Sequence, residues 1–151
     1  MQYLIPIVAF LGLIAGIVLK KTCEEEIKPG KPYFLLLQKV TIVLLIIALL
    51  YTSYSQELLY FLLMLIGLII AIFFTHTYFY LGLALLTLNP LIATLTFIYG
   101  LPTGTLKPKV TLNLLLFAIP FLLLIFNITY TAPIAIGALT TIFIKKTFFC
   151  K

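Results

Sequence analysis

Apolar residues fill this chain in long runs, separated by a few short polar stretches. The runs cover residues 3–19, 33–54, 58–74, 78–101, 111–126 and 128–144. Each is close to the roughly 17–25 residues that a helix needs to span a hydrocarbon core, at about 1.5 Å of rise per residue. The pattern predicts an all-α fold: a polytopic helical membrane bundle of six hydrophobic segments, forming one domain over residues 1–151.

Residues 20–39 are the one long polar interval and fix how the other segments face. They hold Lys20, Lys21, Lys28, Lys31 and Lys39, and three of the four acids, Glu24, Glu25 and Glu26. Thr22 and Glu25 have capping-box spacing, which predicts a short helical turn ending before Pro29-Gly30. The second apolar helix is then predicted to begin after Lys31-Pro32, since proline costs nothing at a helix start. Gln38 and Lys39 fall a turn or two inside it, where a lysine can snorkel back to the headgroups. Tyr51 and Tyr54 suit the opposite interface as aromatic anchors.

Small residues mark the expected packing faces. Gly12 and Gly16 form a GxxxG in the first segment, Gly67 and Ala71 recur at that spacing in the third, and Ala135, Gly137 and Ala138 enrich the sixth. Such positions let helix backbones approach closely.

The fourth run is long enough to cross once, yet Asn89-Pro90 interrupts it. Proline removes an interior hydrogen bond, clashes with the preceding turn and pushes Asn89 from helical geometry. The outcome is either a kinked crossing or two half-helices of about ten residues that turn back. Lysine placement favours turning back: Lys107, Lys109, Lys145 and Lys146 then share the side of the 20–39 interval. That satisfies the positive-inside rule, with the N-terminus outside and the lysine-rich loops and C-terminus cytoplasmic in the cell membrane. Against it, a re-entrant backbone must be shielded by protein. Pro120 should kink the fifth segment. Asn127-Ile128-Thr129 is formally a glycosylation sequon, too close to the surface in a tight hairpin for use.

Composition excludes a soluble domain. The chain is 64% hydrophobic and 9% charged, against roughly 45–50% and 25% for soluble domains. Its net charge of +6 comes wholly from lysine. Those lysines sit at the ends of apolar runs, where they set orientation and meet anionic lipid headgroups rather than nucleic acid. The partners implied are the lipid bilayer, its anionic headgroups, and a membrane-protein partner or second copy of the chain. Cys23 and Cys150 lack metal-ligand spacing and, on a reducing side, are expected as free thiols.

Candidate chemistry is sparse. Glu24, Glu25 and Glu26 could form a cation site or catalytic carboxylates, but consecutive residues on a helical turn diverge, so a solvated turn is favoured. His76 reads as a solvated residue between helices, despite its capacity for pH sensing. No charged residue falls at mid-depth, where ionisable groups are functional by default. The polar candidates there are Asn89, Thr87, Thr94, Thr96 and the hydroxyls of the sixth segment. Paired carboxylates, nucleophile–base arrangements and phosphate loops are missing, so no catalytic, cofactor or metal site is expected. Two readings follow: a non-enzymatic subunit, assembly or scaffold component, or a channel or transporter for a neutral or weakly polar solute that uses the Asn89-Pro90 break.

The run Glu24-Glu25-Glu26-Ile27-Lys28-Pro29-Gly30-Lys31-Pro32-Tyr33-Phe34, between two apolar helices, resembles a segment of small uncharacterised archaeal polytopic membrane proteins. The resemblance implies a membrane fold and carries no activity.

Overall fold

A computed structural model describes residues 4–53, 57–106, 110–121 and 131–149. Tyr54, Lys107, Lys109, Cys150, Lys151 and the sequon at Asn127 lie outside the described residues. Seven α-helices follow one another: α1 (Leu4–Thr22), α2 (Glu24–Ser53), α3 (Leu58–Phe73), α4 (Thr77–Leu85), α5 (Pro90–Leu106), α6 (Val110–Ala118) and α7 (Thr131–Ile144). A π-helical turn, Lys145–Phe149, ends the described chain. No strand occurs among the described residues.

The six-segment expectation is corrected. Two helices, over Ile5–Thr22 and Pro29–Ser53, are long and apolar enough to cross a membrane, while Leu58–Phe73, Pro90–Leu106 and Thr111–Phe121 are shorter apolar helices. The polar interval is also no loop. One residue, Cys23, separates α1 from α2, and its carbonyl accepts from the amides of Glu26 and Ile27. Instead of capping α2, the Thr22 hydroxyl donates back to Val18 O at 2.9 Å, inside the last turn of α1. Glu24 to Glu26 occupy the first turn of α2, where the helix dipole favours negative charge. The helix then continues through Pro29 and Pro32, although each proline removes one ladder bond.

Two seams of glycine hold the bundle together. A Cβ on Gly12 would lie 2.1 Å from Phe97 O, and one on Gly16 would lie 2.2 Å from Leu101 O. In return, Gly100 meets the Gly12–Leu13 backbone, and Gly104 meets Leu13 O and Gly16. The pairs rise together along both helices, so α1 and α5 run parallel and Leu106 lies at the Thr22 end. The second seam repeats the arrangement between α3 and α7. Gly67 abuts Ile134, Gly137 abuts Met64 and Leu68, and Thr141 donates to Leu68 O at 3.3 Å. These helices are parallel as well. By contrast α2 runs antiparallel to α5, since Gln38 pairs with Thr103 whereas Ala48 and Tyr51 sit with Leu91 and Leu95. Ala71, Ala135 and Ala138 are fully buried.

The break in the fourth run is real but unequal, giving nine residues in α4 and seventeen in α5. The end of α4 tightens through i to i+3 bonds at Leu86, Thr87 and Leu88. Leu88 then takes a left-handed φ of 51°, an uncommon conformation for a side chain branched beyond Cβ. Asn89 caps α5, its Oδ1 accepting from the Leu91 amide at 2.9 Å. Pro90 takes the first helical position, where its absent N–H is no loss. Asn89-Pro90 therefore starts a helix rather than bending one. Every residue from Tyr80 to Leu85 is buried, so protein shields α4 on all sides. Pro120 tightens the end of α6 into a 3₁₀ turn over residues 119–121 and packs on Gly82, where a Cβ would meet its Cγ at 2.9 Å.

Candidate functional site

The mid-depth hydroxyls singled out in the sequence are engaged locally. Thr87 donates to Ala84 O, Thr94 to Pro90 O, and Thr96 to Ile92 O, all at 2.8–2.9 Å. Thr140 does the same with Ile136 O at 2.9 Å. Such back-bonding uses the single hydroxyl hydrogen locally and leaves only the oxygen's acceptor capacity. Asn89 is occupied as a cap.

Polar side chains instead converge between α2, α4, α5 and the C-terminal π-turn. Buried Gln38 donates through Nε2 to Thr103 Oγ1 at 2.9 Å. Thr103 in turn donates to Tyr99 O at 3.0 Å. Tyr99 is 1% exposed, and its hydroxyl accepts from Lys146 Nζ at 2.7 Å. The same ammonium lies 5.3 Å from the Tyr99 ring centre, within reach of a cation–π attraction. Tyr78 stacks obliquely on Tyr99 with ring centres 6.1 Å apart. Its hydroxyl lies beside Thr103. Phe117 closes the aromatic side, 6.5 Å from Tyr78.

Lys145 and Lys146, expected at lipid headgroups, both bond to groups of the protein. Lys145 Nζ donates to Ile72 O at 2.8 Å, one of the last carbonyls of α3, which lack a helical partner. Lys146 turns into the bundle. The helical period held a signal for both: Lys146 lies four residues beyond buried Ile142, and Lys145 four beyond Thr141, which faces α3. Their joint assignment to orientation hid it. The tyrosines were missed because within an apolar run they count as apolar.

The remaining predicted residues stay apart from this cluster. Lys20 is half-buried at the end of α1, where a cation suits the dipole, and Lys21 is exposed there;. Lys28, Lys31 and Lys39 fall along α2, Lys31 being exposed and Lys39 half-buried. Glu25 and Glu26 are exposed. Glu26 and half-buried Cys23, a free thiol, line a shallow cleft of about 270 Å³ with Tyr33 and Phe34. His76 is exposed at the start of α4, its ring 5.1 Å from that of Phe74. Among the described residues no group of three His, Cys, Asp or Glu could hold a metal.

In chemical terms the cluster offers hydrogen-bond donors and one positive charge, with no nucleophile beside a carboxylate base. Comparison with known protein families, curated proteins and solved structures finds no match to this chain.

Proposed function

We propose that the chain is a polytopic integral membrane protein that serves as a non-enzymatic subunit, assembly or scaffold component. The observation that carries this reading is the set of large exposed apolar side chains along the first three helices. Ile7, Val8, Leu11, Ile14 and Val18 on α1, Leu36, Val40, Leu44 and Ile47 on α2, and Leu62, Leu65, Ile69 and Phe73 on α3 all face outward. No charged residue interrupts them between Val40 and Ser53 or along α3. Patches of this extent on soluble proteins mark an interaction surface, and hydrocarbon tails supply one without a specific partner. In this arrangement the ends of α1 and α5 share the lysine-bearing face, and α4 enters from that face and turns back at Leu88. The solute-channel reading has less support, because Asn89 and the neighbouring threonines are bonded within the protein.

Sidedness tests the proposal. In a background with Cys23 and Cys150 changed to serine, cysteines at Thr22 and Leu106 should react with a membrane-impermeant maleimide from one compartment. One at Tyr51 should react only from the other. Labelling of positions 22 and 106 from opposite compartments, or extraction of the protein by alkaline carbonate, would refute it.

A further inference from the structure

We infer that the C-terminal turn Lys145–Phe149 is a clasp, closed on the protein by two lysines and released by an anionic lipid surface. The inference rests on the membrane reading above. The clasp grips helices that belong to different seams. Lys145 Nζ donates to Ile72 O at the end of α3, and Lys146 Nζ donates to the Tyr99 hydroxyl on α5. Since α3 packs on α7 while α5 packs on α1 and α2, the turn ties one seam to the other at the end of α7. Its hydrogen bonding is π rather than α, a rare form often met at functional sites.

What makes the clasp releasable is that both acceptors are neutral. A carbonyl and a phenol each take a hydrogen bond from an ammonium without cancelling its charge, and among the described residues neither lysine meets a carboxylate. A lipid phosphate supplies the hydrogen bond and the opposite charge together. Near an anionic leaflet each lysine gains the equivalent of about fivefold in population, so two moving together gain about thirtyfold. The bonds they give up are of similar strength, because both ammoniums are half-buried and water replaces part of what is lost. Closed and open turns therefore lie near balance, and the charge of the leaflet decides between them. Phe148, 73% exposed beside the lysines, gives the released turn the mixture of basic and aromatic side chains that settles at headgroup level.

The test uses full-length protein with Cys23 and Cys150 changed to serine and nitroxide labels on Thr22→Cys and Phe148→Cys, both exposed positions. Distances between the labels would be measured in nanodiscs of phosphatidylcholine with a rising fraction of phosphatidylglycerol. A single population in the neutral lipid should give way to a second, with the open-to-closed ratio rising about thirtyfold across the series and falling again as salt is added. Two variants separate a clasp from a merely structural contact. Tyr99→Phe removes the acceptor and keeps the lysine, so the open fraction should rise at every lipid composition. Lys146→Gln removes the charge that the lipid attracts, so the dependence on phosphatidylglycerol should fall about fivefold. A chain that alkaline carbonate extracts fails the membrane reading, and the clasp with it. An inserted chain whose distances are blind to lipid charge, or a Lys146→Gln variant with the full wild-type dependence, overturns the clasp alone.

Discussion

The α1–α5 seam and the Tyr99–Lys146 cluster lie on the same helix, α5, and are held by opposite means. Along the seam, Gly12, Gly16, Gly100 and Gly104 remove every side-chain atom from between two backbones. What remains is dispersion over a long, close backbone contact. At the cluster, four elements each bring one or two polar groups, and the contacts are directed and charged. A seam of that kind tolerates no added atom. A cluster of that kind tolerates isosteric change and pays only for the bond removed. The two regions therefore respond differently to substitution, the apolar one to added volume and the polar one to a lost bond.

Breaking the seam should have the largest effect. Gly104→Leu sets its first added atom 2.3 Å from Leu13 O and 2.9 Å from Gly16 Cα. Backbone cannot rotate away as a side chain can, so we expect destabilisation of about 3 kcal/mol or more. Thermal unfolding in detergent would show a large fall in midpoint or loss of the monodisperse species. Gly30→Ala is the control: its Cβ meets only the Phe34 ring, at 3.4 Å. Within α2 that exchange should stabilise by about 0.5–1 kcal/mol, because alanine loses less backbone freedom in a helix. Equal outcomes for the two would mean that close approach at the seam is not what holds α1 to α5.

The two regions also differ in how well the sequence announces them. Gly12 and Gly16 carry half of the seam openly, because GxxxG states a requirement for close approach. Gly100 and Gly104 repeat that spacing, but the second lies beyond the end of the apolar run at residue 101, with Pro102 between them. The helical class was legible from run length alone. The break was legible too, although Pro90 proved to begin a helix, since a proline's fixed φ and missing amide serve both roles. The continuous α2 was not legible, because Pro29 and Pro32 argue locally for a loop and only the whole helix overrides them. Nor was the cluster. Gln38, Tyr78, Tyr99 and Lys146 come from four places in the chain, and no spacing rule connects them until the helices pack.

Within the cluster the central bond can be weighed directly. Tyr99→Phe removes the acceptor of Lys146 without changing the ring that the ammonium faces. The ammonium is half-buried, so water replaces part of what is lost, and we expect a cost of about 1–2 kcal/mol. A double-mutant cycle with Lys146→Met should give a coupling of about 1 kcal/mol. Additive effects of the two substitutions would show that the contact contributes nothing to stability.

The smallest expected effect separates the two adjacent lysines. Lys145, half-buried like Lys146, caps α3 at Ile72 O, so its charge interacts with the dipole of one helix end through a medium that salt screens. Lys145→Gln keeps a donor for that carbonyl and removes only the charge. The expected cost is about 0.3–1 kcal/mol at low ionic strength, shrinking as salt is added. Lys146→Gln, measured in parallel, should keep more of its cost in salt, since its partner Tyr99 is buried. If both variants lose their effect together as ionic strength rises, the contrast between a helix cap and a cation held against a buried tyrosine fails.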